Sequence, residues 1–325
     1  QTCALPILFE LAANGLKLYL NIPQKEVHPG QLVTVCIKAV NRHVIFLGKQ
    51  QFQIGVVYLN TPGNEKEMLQ CDGVTEKVQQ TMAEFSPKHC GIAQIDIEKV
   101  FLQDYLGLIG TQKNFRGSCQ LAVLPEPVLS TRIRTGMEKQ QEYRYSAVAD
   151  DDSDILDLRA FRPGDNLNHI HWNLSLRTDD LIVRQYGEQI DVKKVILVDL
   201  SILNTAQYRS RMDAVYTAVA SIANLYVENE VNTLILAWNG QKQSAEYLEV
   251  HDRTELNRAM IRLMQIPCSS RAGEHAAAVY LKDIEAQGQQ ALFVTAGSYE
   301  NNKVRIVNVE KIQLQELIDE LWEKI

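Results

Sequence analysis

The chain has 325 residues, of which 46% are hydrophobic and 22% are charged. This composition excludes a largely disordered or collagen-like protein, and the length favours two domains of ordinary size. The formal net charge of −7, from 33 basic and 40 acidic residues, argues against a protein that binds nucleic acid through overall positive charge. The six cysteines include no CxxC pair and lie scattered in the sequence, which favours a reducing compartment over a disulfide framework.

Short strands dominate the amino-terminal part of the sequence. Residues Leu16–Ile22 alternate apolar and polar side chains, as a half-buried strand does. Turn-forming clusters separate the other predicted strands, which are Val33–Val40, Phe52–Leu59, Val78–Phe85, Ile92–Val100 and Gln120–Leu124. We therefore predict an antiparallel, immunoglobulin-like β-sandwich over residues 8–126. Residues 1–7 are left out of it because they look like the in-frame translation of a sequencing adapter.

A boundary region follows the predicted sandwich. Pro125 and Pro127 close the series of strands, and residues 150–154 form a cluster of like charges that resists compaction. We predict an acidic linker over residues 127–157.

The pattern changes towards the carboxyl terminus. Continuous apolar runs, typical of strands buried on both faces of a parallel sheet, occur at Val195–Val198, Thr233–Trp238, Ala291–Thr295 and Val304–Val309. Segments with helical spacing lie between and after them, at Arg211–Val227, Thr254–Met264, Glu274–Ala286 and Gln313–Ile325, and Thr254 is the predicted N-cap of its helix. This alternation predicts an open, mainly parallel α/β sheet with helices on both faces.

The most distinctive stretch runs from Leu158 to Tyr186. It contains an arginine and an aromatic residue, then R-P-G-D, I-H-W, Ser-x-Arg-Thr and L-I-V-R in this order. These residue types resemble the signature of a bacterial family catalogued as domain of unknown function 58. The resemblance extends upstream to His89-Cys90-Gly91 and downstream to Asp199-Leu200-Ser201. It implies a β-domain and, after it, the signature and a von Willebrand factor A-like α/β domain. The signature and the A-like domain together occupy residues 158–325.

The signature contains the candidate site. Pro163 and Gly164 favour a turn that Asp165 closes by accepting backbone N–H groups. The arginines either pair with Asp165 and other carboxylates as a structural knot, or bind an external acidic partner. Trp172 is predicted to be a core residue. The candidate site residues are Arg159, Arg162, Pro163, Gly164, Asp165, His171, Trp172, Ser175, Arg177 and Arg184.

Two groups of residues invite comparison with metal sites. His169 and His171 are predicted to share one face of a strand, but they lack a third ligand nearby. In von Willebrand factor A-like domains, a D-x-S-x-S loop, a threonine and an aspartate hold a divalent cation. The resemblance places Asp199 and Ser201 in such a loop, but Leu203 replaces the second serine and Ala296 the later aspartate.

A single carboxylate is a poor site for Mg²⁺ unless a substrate supplies further oxygen ligands. We therefore expect no tightly bound metal at Asp199 and Ser201, and no cofactor. Asp199 would then cap the loop that follows it or pair with an arginine.

The sequence carries no GxGxxG, P-loop, HExxH or GxSxG motif, so we predict a protein without enzymatic activity. The resemblance implies a protein-interaction scaffold that works with a MoxR-type AAA ATPase in the assembly or maturation of client proteins. It also implies a hydrophobic hairpin before Leu8 that tethers the protein to the cytoplasmic side of the bacterial cell membrane. Residues 1–325 themselves include no apolar run of about 18 residues, so we expect this stretch of chain to be soluble.

Two other functions stay open at this point. A metal-dependent adhesion module that binds an acidic ligand would require a filled cation site. A hydrolase with its site across the domain interface would require a cluster of buried catalytic groups.

Overall fold

The structure is a computed structural model. It describes residues 9–324, apart from residues 12, 42–46, 60–65, 75–77, 105, 116, 132–142, 146–153, 179, 190–192, 202–206, 285–290, 298 and 300–303.

The amino-terminal region is built from strands, as the alternating sequence predicted. Its strands are β1 (Leu16–Asn21), β2 (Glu26–Val27), β3 (Val33–Asn41), β4 (Leu47–Tyr58), β5 (Lys66–Val74), β6 (Val78–Phe85), β7 (Gly91–Asp104), β8 (Gly110–Lys113) and β9 (Ser118–Val123). One sheet has the order β1-β3-β6 and the other β2-β9-β7-β4-β5, with β8 also paired to β7. Apart from the parallel pair β2–β9, all neighbouring strands here are antiparallel.

The two sheets share one hydrophobic core. On β3, the fully buried side chains of Val33, Val35 and Ile37 occupy every second position, and Phe52 and Ile54 do the same on β4. This period of two places the apolar side chains of both sheets in the same core, which is the arrangement of a β-sandwich.

A small antiparallel sheet carries the signature. It consists of β10 (Tyr143–Tyr145), β11 (Asp154–Ala160) and β12 (Ile182–Gln189), with β12 in the middle. Between β11 and β12 lie a 3-10 turn (Leu167–His169) and a short helix, α1 (Trp172–Thr178). Thus β10 and the first part of β11 lie where the sequence predicted a linker, and most of the acidic cluster, residues 150–153, lies outside the described residues.

The carboxyl-terminal region alternates strands and helices. Its elements are β13 (Lys194–Val198), α2 (Tyr208–Glu228), β14 (Thr233–Asn239), β15 (Ser244–Val250), α3 (Arg253–Gln265), α4 (Ala272–Val279), β16 (Ala291–Thr295), β17 (Arg305–Asn308) and α5 (Leu314–Trp322). After α4 the chain continues as a π-helical turn, Tyr280–Ile284.

The sheet of this region has the order β15-β14-β13-β16-β17. Three of its four pairings are parallel, and only the pair β14–β15 is antiparallel. Buried clusters lie on both faces of the sheet, which explains the continuous apolar runs of β13, β14 and β16. The prediction of an open, mainly parallel α/β sheet is therefore confirmed.

The start of α3 differs from the prediction. The side chain of Asp252, not that of Thr254, caps the helix by accepting the backbone N–H of Glu255 at 2.7 Å. An aspartate two positions upstream can reach the free N–H groups of the first turn equally well, so the choice of Thr254 was wrong.

The chain divides into two compact units. Residues 1–131 and 194–325 form one, and residues 132–193 form the other. Among the described residues, every helix is too short or too polar to cross a lipid bilayer.

Candidate functional site

Residues 161–181 of the signature form an insertion between β11 and β12, and hydrogen bonds hold the two ends of this insertion together. The backbone N–H of Phe161 donates to the carbonyl of Leu181 at 2.7 Å, and Ile170 forms an isolated bridge with Val183. These bonds join residues far apart in the loop, so residues 161–181 fold back on their own small sheet.

Asp165 holds the turn at the start of the insertion. Its two carboxylate oxygens accept a forked pair of bonds from the Arg159 guanidinium at 2.7 and 2.8 Å. One of them also accepts the backbone N–H of Arg162 at 2.7 Å. Gly164 has φ of +110°, a conformation that glycine adopts without steric cost. The bonds from Arg159 hold the pKa of the Asp165 carboxyl down at about 2, so the fork persists at physiological pH.

His171 and Ser175 fix α1 to β12. The backbone N–H of His171 donates to the carbonyl of Ile182 at 2.8 Å, and its Nδ1 accepts the N–H of Leu174 at 3.2 Å. The Ser175 hydroxyl accepts the N–H of Ile182 at 2.9 Å. The prediction that His169 and His171 share one face of a strand is wrong, because His169 ends a 3-10 turn and His171 caps a helix.

Two large apolar side chains are exposed on α1. Trp172 and Leu176 stand four positions apart, hence on one side of the helix, and their exposed fractions are 58% and 79%. We call these two side chains the exposed face of α1. The prediction that Trp172 is a core residue is wrong, because the inward positions of this short helix belong to Leu174 and Ser175.

The signature arginines differ in their contacts. Arg159 is committed to Asp165. Arg162 and Arg177 are exposed, and neither forms an ion pair with any residue that the structure describes. The Nε of Arg184 is buried and has no hydrogen-bond partner among the described atoms. Asp165 therefore pairs with one of the four signature arginines, Arg159, whereas Arg162 and Arg177 face solvent.

At the carboxyl end of the parallel sheet, Asp199 is surrounded by the chain's own donors. Its Oδ1 accepts the backbone N–H of Ser201 at 3.0 Å, so it caps the loop after β13, and its Oδ2 accepts the hydroxyl of Thr295 at 2.6 Å. The Ser201 hydroxyl in turn accepts the N–H of Gly273 at 3.1 Å. A Cβ at Gly273 would lie 2.4 Å from Asp199 Oδ1, so the start of α4 is packed directly against the carboxylate.

These residues fit a divalent cation poorly. Both oxygens of the one carboxylate already accept hydrogen bonds, and backbone occupies the adjacent space. Ala296, at the position of the expected second aspartate, is buried, and Leu203 lies outside the described residues. Across the described part of the chain, no cluster of three or more His, Cys, Asp or Glu side chains has the geometry of a metal site.

A further polar contact joins the β-region to α2 within the larger unit. The Oδ1 of Asp213 accepts the backbone N–H of Cys90 at 2.8 Å, and its Oδ2 lies 2.7 Å from Nδ1 of His89. Burial raises the pKa of Asp213, although His89 and the Cys90 N–H partly offset this effect. His89-Cys90-Gly91, noted in the sequence for its resemblance, is thus a place where the two regions of this unit meet.

Sequence reasoning missed several partners. Thr295 lies 96 positions from Asp199, and Asp213 lies 124 positions from His89, so no local pattern connects either pair. The spacing of Trp172 and Leu176, four positions apart, was a usable signal of a helical apolar face.

Residues 157–303 match the family model described as "Protein of unknown function DUF58", which supports the family resemblance of the signature. The matched range covers the whole signature and the loop of Asp199 and Ser201. The match is to the same family that the signature residues indicated. No curated protein matches it.

Several solved structures share a low level of similarity with the chain. The CARDB domain of the PF1109 protein from Pyrococcus furiosus is 10% identical over 34% of this chain and 87% of that one, with a TM-score of 0.23. The alkylpurine DNA glycosylase AlkC of Pseudomonas fluorescens is 12% identical over 34% of this chain and 30% of that one, with a TM-score of 0.25. A type II cohesin domain from the cellulosome of Acetivibrio cellulolyticus is 11% identical over 33% of this chain and 94% of that one, with a TM-score of 0.24. Scores this low support no conclusion about fold or function.

Proposed function

We propose that this chain is a non-enzymatic protein-interaction scaffold that works with a MoxR-type AAA ATPase in the assembly or maturation of other proteins. The observation that carries the proposal is the exposed face of α1, formed by Trp172 and Leu176 within the family signature. Large apolar side chains grouped at the surface mark sites of protein interaction, and tryptophan is enriched among the residues that dominate binding energy.

The exposed face is also held in place before any partner arrives. The bonds from His171 and Ser175 to Ile182 fix the helix to β12, and the fork between Arg159 and Asp165 fixes the preceding turn. The surface is therefore already ordered when a partner binds. Binding loses little conformational entropy at this surface, which favours affinity.

Two exposed arginines of the signature suggest the character of the partner. Arg162 and Arg177 are exposed and have no ion-pair partner among the described residues, so they favour a partner with acidic side chains around an apolar centre. The chain has no nucleotide-binding loop of its own, so energy from ATP would come from the ATPase.

The finer fold assignment belongs to the same proposal. The open sheet with one antiparallel edge strand, and the position of Asp199 at the carboxyl end of β13, support a von Willebrand factor A-like domain. The two sheets that share one core support an immunoglobulin-like β-domain. The family resemblance supports a tether to the cytoplasmic side of the membrane.

Co-purification of the full chain with the MoxR-type ATPase tests the proposal. The double variant Trp172→Ser/Leu176→Ser should lose the ATPase from the eluate, and Arg162→Glu should weaken the association in a salt-dependent way. The matched control is Leu106→Ser/Leu108→Ser, because these leucines are 68% and 78% exposed but lie on the loop between β7 and β8. If both double variants recover the ATPase in equal amounts, the exposed face of α1 takes no part in the interaction.

A further inference from the structure

Residues 127–131 follow β9 and end where the smaller unit begins, at residue 132. We call residues 127–131 the strap. It lies in no helix or strand, and it contacts helices α2 and α5 of the larger unit. None of its side chains belongs to a hydrophobic core cluster of the described residues, and the largest of them, Leu129, is 55% exposed. Apolar burial therefore contributes little to holding the strap in place.

Side chains of the two helices hold the strap instead. The hydroxyl of Ser221, on α2, accepts the backbone N–H of Val128 at 2.8 Å. The side-chain amide of Gln315, on α5, donates to the carbonyl of Leu129 at 3.0 Å. The end of the strap is held by a third side chain, that of Asp319 on α5.

Asp319 uses both of its carboxylate oxygens. Its Oδ1 accepts the Ser130 hydroxyl at 2.8 Å and the backbone N–H of Thr131 at 3.0 Å, and its Oδ2 accepts the Thr131 hydroxyl at 2.8 Å. The Ser130 and Thr131 hydroxyls hold the pKa of Asp319 below its usual value, so the carboxylate is charged at physiological pH. Because these contacts are few and polar, water can replace them without exposing apolar surface.

The other connection to the smaller unit is held by the core. Strand β13 begins at Lys194, directly after that unit, and the N–H of Lys194 donates to the carbonyl of Asn232 at 2.9 Å. The next four residues, Val195–Val198, are at most 1% exposed and belong to the clusters on both faces of the sheet. This connection is released only when the larger unit unfolds, whereas the strap requires no more than the loss of a few polar contacts.

We propose that the strap is a latch that sets the reach of the smaller unit. The latch opens while the rest of the larger unit stays folded. The smaller unit then remains attached directly to β13, but to the β-region through a longer free segment. Five extended residues add at most about 16 Å to this connection. The smaller unit carries the exposed face of α1, so opening extends the range over which any partner meets that face. The latch does not depend on the identity of the partner proposed above.

Amide hydrogen exchange in the full chain tests the opening. The N–H groups of Val128 and Thr131 should exchange much faster than those of β13, because local opening suffices for the strap. Asp319→Ala should speed exchange in the strap by about tenfold, because three bonds are lost, and should change exchange in β13 far less. Ser130→Ala/Thr131→Val removes both hydroxyls from the other side of the same contact, so it should have a similar effect.

A distance measurement tests the consequence for the smaller unit. Spin labels on azide-bearing amino acids at two exposed positions, Lys311 of the larger unit and Asn173 of α1, report the separation of the units by pulsed electron paramagnetic resonance. Asp319→Ala should broaden the distribution of distances. The matched control is Glu316→Ala, which removes an exposed carboxylate of the same helix and should leave the distribution as in the parent. Circular dichroism checks that each variant is folded.

Three results would overturn the proposal. The first is exchange in the strap as slow as that in β13, which would mean that the strap opens only on global unfolding. The second is an equal effect of Asp319→Ala and Glu316→Ala on exchange in the strap. The third is faster exchange in Asp319→Ala with an unchanged distribution of distances, which would mean that the strap does not set the reach of the smaller unit. None of these results involves the ATPase, so they leave the proposed function to its own test.

Discussion

Replacing Asp213 tests how the β-region is attached to α2. Asp213→Ala removes the acceptor for the Cys90 N–H at 2.8 Å and the contact with His89 at 2.7 Å. Hydrogen bonds to charged groups contribute about 1.5–3 kcal/mol, and a buried N–H left without an acceptor carries a similar penalty. Because the Asp213 side chain is 24% exposed, water can replace part of the loss. We expect the free energy of unfolding to fall by about 2 kcal/mol.

Equilibrium urea unfolding, followed by circular dichroism and tryptophan fluorescence, measures this change. Asp213→Asn should lose less than half as much as the alanine variant, because the amide oxygen can still accept the Cys90 N–H. Asp319→Ala serves as the control. The Asp319 carboxylate also accepts hydrogen bonds from a distant segment, namely from Ser130 and Thr131. It lies nearer the surface than Asp213, so we expect a smaller loss of unfolding free energy. An alanine variant as stable as the parent, or an asparagine variant as unstable as the alanine one, would refute the reasoning.

The pH dependence of this site has a definite sign. Because burial raises the pKa of Asp213 above its usual 3.8, the folded protein binds this proton more tightly than the unfolded chain does. The contribution of Asp213 to stability is therefore greatest at low pH and decreases as the pH rises from about 3.8 through the folded-state pKa. The difference in unfolding free energy between the parent and Asp213→Asn should change over this interval and be level above it.

Four further substitutions test three individual contacts. Gly273→Ala would place a Cβ 2.4 Å from the carboxylate at the end of β13, and it should cost about 1–3 kcal/mol in urea unfolding; an unchanged midpoint would contradict the packing described. Asp165→Asn should speed amide hydrogen exchange at Arg162, because the Asp165 carboxylate accepts the N–H of that residue. Lowering the pH of the parent through about 2 should have the same effect, because Asp165 is then protonated. Unchanged exchange at Arg162 would argue against this turn. Asp252→Ala should cost about 1 kcal/mol as a lost N-cap and Thr254→Ala should cost less; the reverse order would restore the cap predicted from the sequence.

The strands buried on both faces were the most predictable part of the fold. Ala291–Thr295 was predicted to the residue and Val195–Val198 to within one, because a strand covered on both faces must be apolar throughout. By contrast, β15 was missed. Its sequence, Ser244–Val250, belongs to an edge strand with glutamates at two positions, and partial exposure removes the signal on which the prediction relied.

The candidate site was predictable only in its local contacts. The turn closed by Asp165 depends on a residue a few positions away, and turn chemistry in the sequence indicated it. The loop capped by Asp199 is one of the two alternatives that the sequence left open, the other being a pair with an arginine. The partners Thr295 and Asp213 come from distant elements, which only the folded chain brings into contact. Trp172 was misplaced because its apolar character indicates a preference for burial but does not reveal which face of a short helix is covered.

The most direct test of the account is a photo-cross-link from the exposed face of α1. A benzophenone amino acid placed at Leu176 of the full chain should capture the purified MoxR-type ATPase on irradiation, and the same group at Leu108 should not. Trp172→Ser in the same chain should abolish the cross-link. Equal capture from both positions, or none from Leu176 under conditions where the two proteins co-purify, would contradict the claim that the signature presents this surface to a partner.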